Sequence, residues 1–230
     1  MKRITLLIAA LFFFALSVKA QYGFYLEDQI YINGTYNALV EKSDSIRQGG
    51  FSNGFNVGYI RDIPLNKRRN IGVGIGIAFS SNHFYQNVAI TGLPNGSVDL
   101  RMLEDNTFIR NKFSVNYLEF PFELRYRTST FEDDDFFRFY LGIKAGYKLR
   151  SYAKIKTEVQ EVAFFNQNIF NWWRYGLTLT VGYSTWNLYM YYGLNNIFKD
   201  GLEAQPISPN NSPIPMDMNE LNIGLIFYLI

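Results

Sequence analysis

The chain has 230 residues, one histidine, no cysteine and a formal charge of +2. Disulfide frameworks and thiolate metal sites are thereby excluded. Three of the cations, Lys2, Arg3 and Lys19, lie in the first twenty residues, so the remaining 210 (230 less 20) carry −1 (+2 less three), which leaves nucleic-acid binding no compositional basis.

The opening segment MKRITLLIAALFFFALSVKA pairs the basic start Lys2-Arg3 with an apolar stretch from Ile4 to Ser17 and the small-residue ending Val18-Lys19-Ala20. This predicts a signal peptide over residues 1–20, cleaved after Ala20, and one domain over residues 21–230. No cysteine follows to carry a lipid anchor.

Strands then recur with a two-residue period. The first is expected at about residues 26–36, with Ile30, Ile32 and Tyr36 outward and Gln29, Tyr31, Asn33 and Thr35 inward. The second runs from Phe51 to Ile60, with Phe55, Val57 and Tyr59 against Asn56, Gly58 and Ile60. A short basic connection, Ile63 to Arg69, leads to the third, Ile71 to Phe79. Its sequence IGVGIGIAF alternates large apolar residues with Gly72, Gly74, Gly76 and Ala78, the pattern of a curved strand whose inner face leaves room for bulky groups on its neighbours. A long polar segment follows from Ser80 to Lys112, with a turn at Pro94-Asn95-Gly96.

The fourth strand, SVNYLEFPFELRYR, sets Leu118, Phe120, Phe122, Leu124 and Tyr126 against Tyr117, Glu119, Pro121, Glu123, Arg125 and Arg127. After the acidic turn TSTFEDDD, the fifth alternates Phe137, Phe139, Leu141, Ile143, Ala145, Tyr147 and Leu149 with Arg138, Tyr140, Gly142, Lys144, Gly146, Lys148 and Arg150. A link at Ser151–Asn171 precedes the sixth, with Trp173, Tyr175, Leu177, Leu179, Val181 and Tyr183 outward. The seventh starts at Trp186, a loop spans Asn196 to Glu220, and LNIGLIFYLI closes the chain.

Eight strands joined by alternately long and short connections, with one continuous oily face, predict an all-β fold: an eight-stranded antiparallel up-and-down transmembrane β-barrel. The last strand must pair with the first to remove both edges. Location in an outer membrane follows, with membrane lipid as the surroundings, both termini and the short turns in the periplasm, and the four long connections outside. The 17 Tyr, 21 Phe and 3 Trp then supply the lipid-facing band and its girdles; Trp172 and Trp173 at one end and Trp186 at the other are expected at opposite interfaces.

Eight strands leave an interior just wide enough for side chains, so inward charges must neutralise one another. Glu119 and Glu123 are expected to meet Arg138, Lys144 and Lys148 in a structural salt-bridge cluster. A hairpin turning near Phe131-Glu132 puts Glu119 opposite Lys144 and Glu123 diagonal to Arg138. His83, beside Ser80 and Ser81 with Glu104 and Asp105 in the same loop, lacks a nucleophile motif. The run Glu132–Asp135 reads as a solvated turn, and no cofactor, metal or catalytic residue is expected.

The segment VNYLEFPFELRYRTS, preceded by GFNVGYI and followed by FRFYLGIKAGYKL, resembles the PorT-like outer-membrane barrel family of Gram-negative bacteria. Tyr117, Leu118, Glu119, Pro121, Leu124 and Arg125 match its Tyr-Leu-Glu-aliphatic-Pro core with the following Leu and basic residue; Phe120 departs from it. RYGLTLTVGYSTWNLYMYYGLNNIFKD and LNIGLIFYLI also resemble members. The founding member belongs to the type IX secretion machinery, so the resemblance implies an envelope protein complex as partner, although no counterpart of the segment after that protein's signal peptide is found. Three roles stay open: a monomeric structural or interaction barrel without an open pore, in its narrower form an accessory of type IX secretion; a lipid-modifying enzyme at His83; and a narrow channel.

Overall fold

The computed structural model describes residues 27–93, 97–104, 107–128, 136–165 and 168–229. The signal segment, the Pro94-Asn95-Gly96 turn, Asp105, the hairpin apex at Phe131-Glu132 and the run Glu132–Asp135 lie outside the described residues. Among those described, no helix is long and apolar enough to cross a membrane.

The described residues form thirteen strands: β1 (Glu27–Val40), β2 (Asn53–Pro64), β3 (Ile71–Tyr85), β4 (Val88–Gly92), β5 (Val98–Met102), β6 (Arg110–Arg127), β7 (Phe137–Lys156), β8 (Glu161–Phe165), β9 (Trp173–Tyr183), β10 (Trp186–Gly193), β11 (Glu203–Ala204), β12 (Ile214–Pro215) and β13 (Asn219–Leu229). Eight of them close a barrel in the order β6-β3-β2-β1-β13-β10-β9-β7, and β7 returns to β6. All of these pairings are antiparallel. Closure between the first and last staves runs from Ile30 opposite Leu229 to Val40 opposite Asn219.

The expected alternation sorts the two faces. Ile30, Phe55, Ile75, Leu124, Leu141, Leu177, Leu188 and Ile223 are exposed on the outer wall, while Asn33, Asn56, Glu119, Lys144, Thr178 and Asn222 are buried inside. On β6 the outward residues from Leu118 to Tyr126 are all apolar or aromatic, a run of about 26 Å at roughly 3.3 Å per residue, which suits the hydrocarbon layer. On β3 the inner glycines make room as expected. A Cβ on Gly74 would lie 2.6 Å from Arg125 Nε, so the guanidinium occupies the space a side chain would need.

Three sequence expectations need correction. First, the barrel staves extend further toward the loop end than the alternation within the apolar band revealed: β3 continues to Tyr85, β6 begins at Arg110, and β7 continues to Lys156, where it pairs with β8. Second, Arg150 is exposed and not inward. Asn116 faces Arg150 while Tyr117 faces Lys148, so Leu149 is an extra residue on β7 and forms a bulge there. Third, the stretch from Ser80 to Lys112 is not a plain polar loop, since it carries the β4–β5 hairpin.

The long connections fold inward. Ile46 from the first, Val88, Ile90, Leu100 and Met102 from the second, Ile169 and Phe170 from the third, and Ile197, Phe198, Met216 and Met218 from the fourth pack together with Phe84, Phe113 and Val115 of the staves. Phe113 meets Phe84, Phe170 and Phe198 at ring-centroid distances of 5.0, 5.5 and 5.2 Å. The barrel therefore has an apolar crown at its loop end.

If the outer wall faces hydrocarbon, Leu141→Arg lowers the unfolding free energy by about 2–4 kcal/mol, the cost of a cation near the bilayer midplane. Urea titration of the barrel in lipid vesicles measures this, and a change below 0.5 kcal/mol would place the wall in water.

Candidate functional site

Below the crown the lumen holds two clusters of buried charge. At the turn end, Asp62 Oδ2 lies 3.3 Å from Arg125 Nη1 and 2.9 Å from Arg127 Nη1, and Glu123 Oε2 lies 2.9 Å from Arg125 Nη2. Arg125 also donates to Gln29 Oε1 at 3.0 Å, and its guanidinium lies 4.6 Å from the ring centre of Tyr140. This one side chain joins β1, β2, β6 and β7.

Closer to the crown, Glu119 is fully buried and accepts from four groups. Lys144 Nζ lies 3.0 Å from Oε2 and Arg174 Nη2 lies 2.6 Å from Oε1. Asn56 Nδ2 and Ser80 Oγ donate to the same carboxylate at 2.6 and 2.7 Å. Arg174 reaches across to Glu220 Oε1 at 2.7 Å and lies between the rings of Tyr117 and Tyr191, 4.5 Å from each centre. Lys144 donates to the Tyr189 hydroxyl at 2.7 Å. Five staves, β2, β3, β6, β7 and β9, thus converge on one carboxylate, and β13 joins through Glu220. Burying a carboxylate is costly unless it is paired and hydrogen-bonded, and here each oxygen has both kinds of partner.

Glu119 and Lys144 are therefore brought together, though diagonally: Glu119 faces Gly146 and Lys144 faces Pro121. The expected register, with Glu119 directly opposite Lys144, was two residues out. Glu123 pairs with Arg125 on its own strand and not with Arg138, which faces Arg127 at the turn end and donates to the Ser184 carbonyl. Lys148 stands apart from both carboxylates; it donates to the Phe170 carbonyl at 3.1 Å and lies 4.3 Å from the Trp172 ring centre. Five charged partners, Asp62, Arg125, Arg127, Arg174 and Glu220, were missed as members. The signal was available for three of them, since Arg125 and Arg127 stand on the inward face of the fourth strand and Asp62 lies two residues beyond the inward Ile60.

The three tryptophans lie on the outer wall, Trp172 and Trp173 at the loop end of β9 and Trp186 at the turn end of β10. Trp173 meets Tyr147 edge-on at 5.1 Å and Trp186 meets Phe227 at 5.6 Å. His83 also points outward. Its Nδ1 meets Ser114 Oγ, and its Nε2 is 3.4 Å from Ser81 Oγ, so both ring nitrogens face hydroxyls. Beside the crown a groove of about 640 Å³ opens between the first and second long connections, lined in part by Arg47, Phe51, Tyr85 and Arg110.

A closed tube with an oily wall and a filled lumen defines the class, a transmembrane β-barrel. More particularly, the chain belongs to the outer membrane protein beta-barrel domain family, whose model matches residues 19–199. No curated protein matches the chain. Among solved structures it is similar to Ail, the attachment invasion locus protein of Yersinia pestis, determined in complex with the heparin analogue sucrose octasulfate. That similarity has 13% identity and a TM-score of 0.32, and covers 88% of this chain and 99% of that one.

Glu119→Ala leaves Arg174 and Lys144 facing a void, and the expected loss is about 3–5 kcal/mol. The variant should give up its compact, heat-resistant gel mobility at a clearly lower temperature, with Glu119→Gln falling between it and the parent. Identical mobility and urea midpoints for all three would deny the network a structural role.

Proposed function

We propose that this protein is a PorT-like outer-membrane barrel that acts as a closed, non-enzymatic scaffold, engaging other envelope proteins through its loop end. In this reading residues 1–20 are a signal peptide removed after Ala20, and residues 21–230 form a monomeric, non-conducting barrel. Trp172, Trp173 and Trp186 are its interfacial girdle, and the ion pairs around Glu119 and Arg125 are its structural plug. The observation that carries the proposal is the double filling of the lumen, by charged side chains along the staves and by apolar side chains of all four long connections at the mouth. A barrel so filled offers solutes no continuous path. The long connections at the mouth are held on the rigid staves, and binding surfaces commonly sit on loops held by a rigid scaffold. The resemblance around Tyr117–Arg125 supports the narrower reading, an accessory of type IX secretion.

Reconstituted in planar bilayers, the protein should show no conductance steps, whereas a steady ion current would reveal a channel. Crosslinking in intact cells should capture envelope proteins at the crown, with secretion components among them if the narrower reading holds. Recovery of uncrosslinked barrel alone would argue against an interaction role. Since the chain has no native cysteine, Asn210→Cys in the fourth long connection should react with a membrane-impermeant maleimide on whole cells; modification only after lysis would reverse the assumed orientation.

A further inference from the structure

On β6 and β7 the outward face changes character toward the loop end. After the apolar run ending at Leu118 come Asn116 and Ser114, then Lys112 and Arg110; on β7, Tyr147 and Leu149 give way to Arg150, Tyr152, Lys154 and Lys156. Five cations thus sit on one side of the tube just beyond its oily band. Among the described residues the recess between them is lined by one carboxylate, Glu161 of β8, which pairs with Lys154 and stands opposite Lys156 across β7 and β8. The upper outward positions of the other staves hold no lysine or arginine: Tyr36 and Ala38 on β1, Asn53 and Phe55 on β2, Ser81, His83 and Tyr85 on β3, Trp173 and Tyr175 on β9, Tyr192 on β10, and Leu221 on β13.

The cations also oppose one another. Arg110 is the cross-strand partner of Lys156, and Lys112 of Lys154. Like charges directly opposite each other destabilise a sheet, so this register invites an anion between them. Between these side chains lies a recess of about 130 Å³, lined by Ile109, Arg110, Lys112, Lys154, Lys156 and Glu161. Aromatic rings flank it. Lys112 Nζ lies 5.7 Å from the ring centres of both Tyr85 and Tyr152, and the Arg150 guanidinium lies 4.8 Å from that of Phe165.

From the two like-charge pairs, the recess and their depth at the edge of the oily band, we infer that this wall binds the phosphorylated headgroups of outer-leaflet glycolipid, the lysines and arginines holding phosphate while the aromatic rings lie at headgroup level. Basic side chains at a membrane surface are attracted to anionic lipid over roughly a Debye length. The inference rests on the long connections facing outward, and the maleimide labelling of Asn210→Cys tests that orientation separately.

The full-length protein, folded in neutral detergent micelles, is titrated with lipid A carrying two phosphates, and bound lipid is counted by native mass spectrometry. The parent should bind it at least tenfold more tightly than the same lipid stripped of phosphate. Combining Lys112→Gln, Lys154→Gln and Lys156→Gln should reduce binding of the phosphorylated lipid at least tenfold while compact gel mobility is kept. Equal binding of the two lipids by the parent overturns the inference, and if the triple variant fails to fold this comparison decides alone. Equal binding by a folded triple variant also overturns it. So does complete displacement of the lipid by equimolar inorganic phosphate, which would assign the recess to a soluble anion.

Discussion

Hydrocarbon provides no partner for a peptide N–H or C=O, and each such group left unpaired there costs several kcal/mol. The pairing of β1 with β13 answers that constraint, because it turns a sheet with two bare edges into a tube with none. Other features follow from it. A closed tube of eight staves has an interior too narrow for bulk water and too long to be filled by backbone, so side chains must fill it. The alternation along each strand means that the residues filling it are the ones left over once the oily face has been assigned.

The lumen is filled in two chemically different ways. Along the staves, carboxylates and guanidinium groups interlock with amides and phenols, and the size of these groups is matched by glycine opposite them, as where Arg125 covers Gly74. At the mouth the chain changes solvent class and uses methionine, isoleucine and phenylalanine. The charged portion ties neighbouring and distant staves to one another, since Arg125 and Glu119 each contact several strands. The apolar portion ties the long connections to the staves, through Phe113 and its partners. Removing a partner from the first strands a charge, whereas removing one from the second leaves a hole.

Fold class was legible in the sequence because two-residue periodicity is a local property, visible in each strand without knowledge of its neighbours. IGVGIGIAF and LNIGLIFYLI show this, and so does the sorting of residues in β6. What depends on pairing was legible only in part. The approach of Glu119 to Lys144 could be anticipated, but its diagonal geometry turned on a cross-strand register two residues from the expected one, which no single strand reveals. Glu123 and Arg125 found each other along one strand, which a search for cross-strand pairs overlooks. The crown escaped notice for another reason. Val88 and Ile90, like Leu100 and Met102, alternate only over two short strands set among polar residues, and their convergence with Phe170 and Met218 is a tertiary event that no single strand reveals.

The bulge at Leu149 has a consequence for the whole upper wall. Below it, even-numbered residues of β7 look into the lumen, as Lys144 and Lys148 do; above it, the odd-numbered Ser151 and Ala153 take that place. A single unpaired residue inverts the parity of everything that follows. Had β7 continued in step, Lys154 and Lys156 would have been driven into the greasy mouth of the tube and Ala153 left outside. One inserted position therefore decides whether two positive charges are internal defects or an external surface.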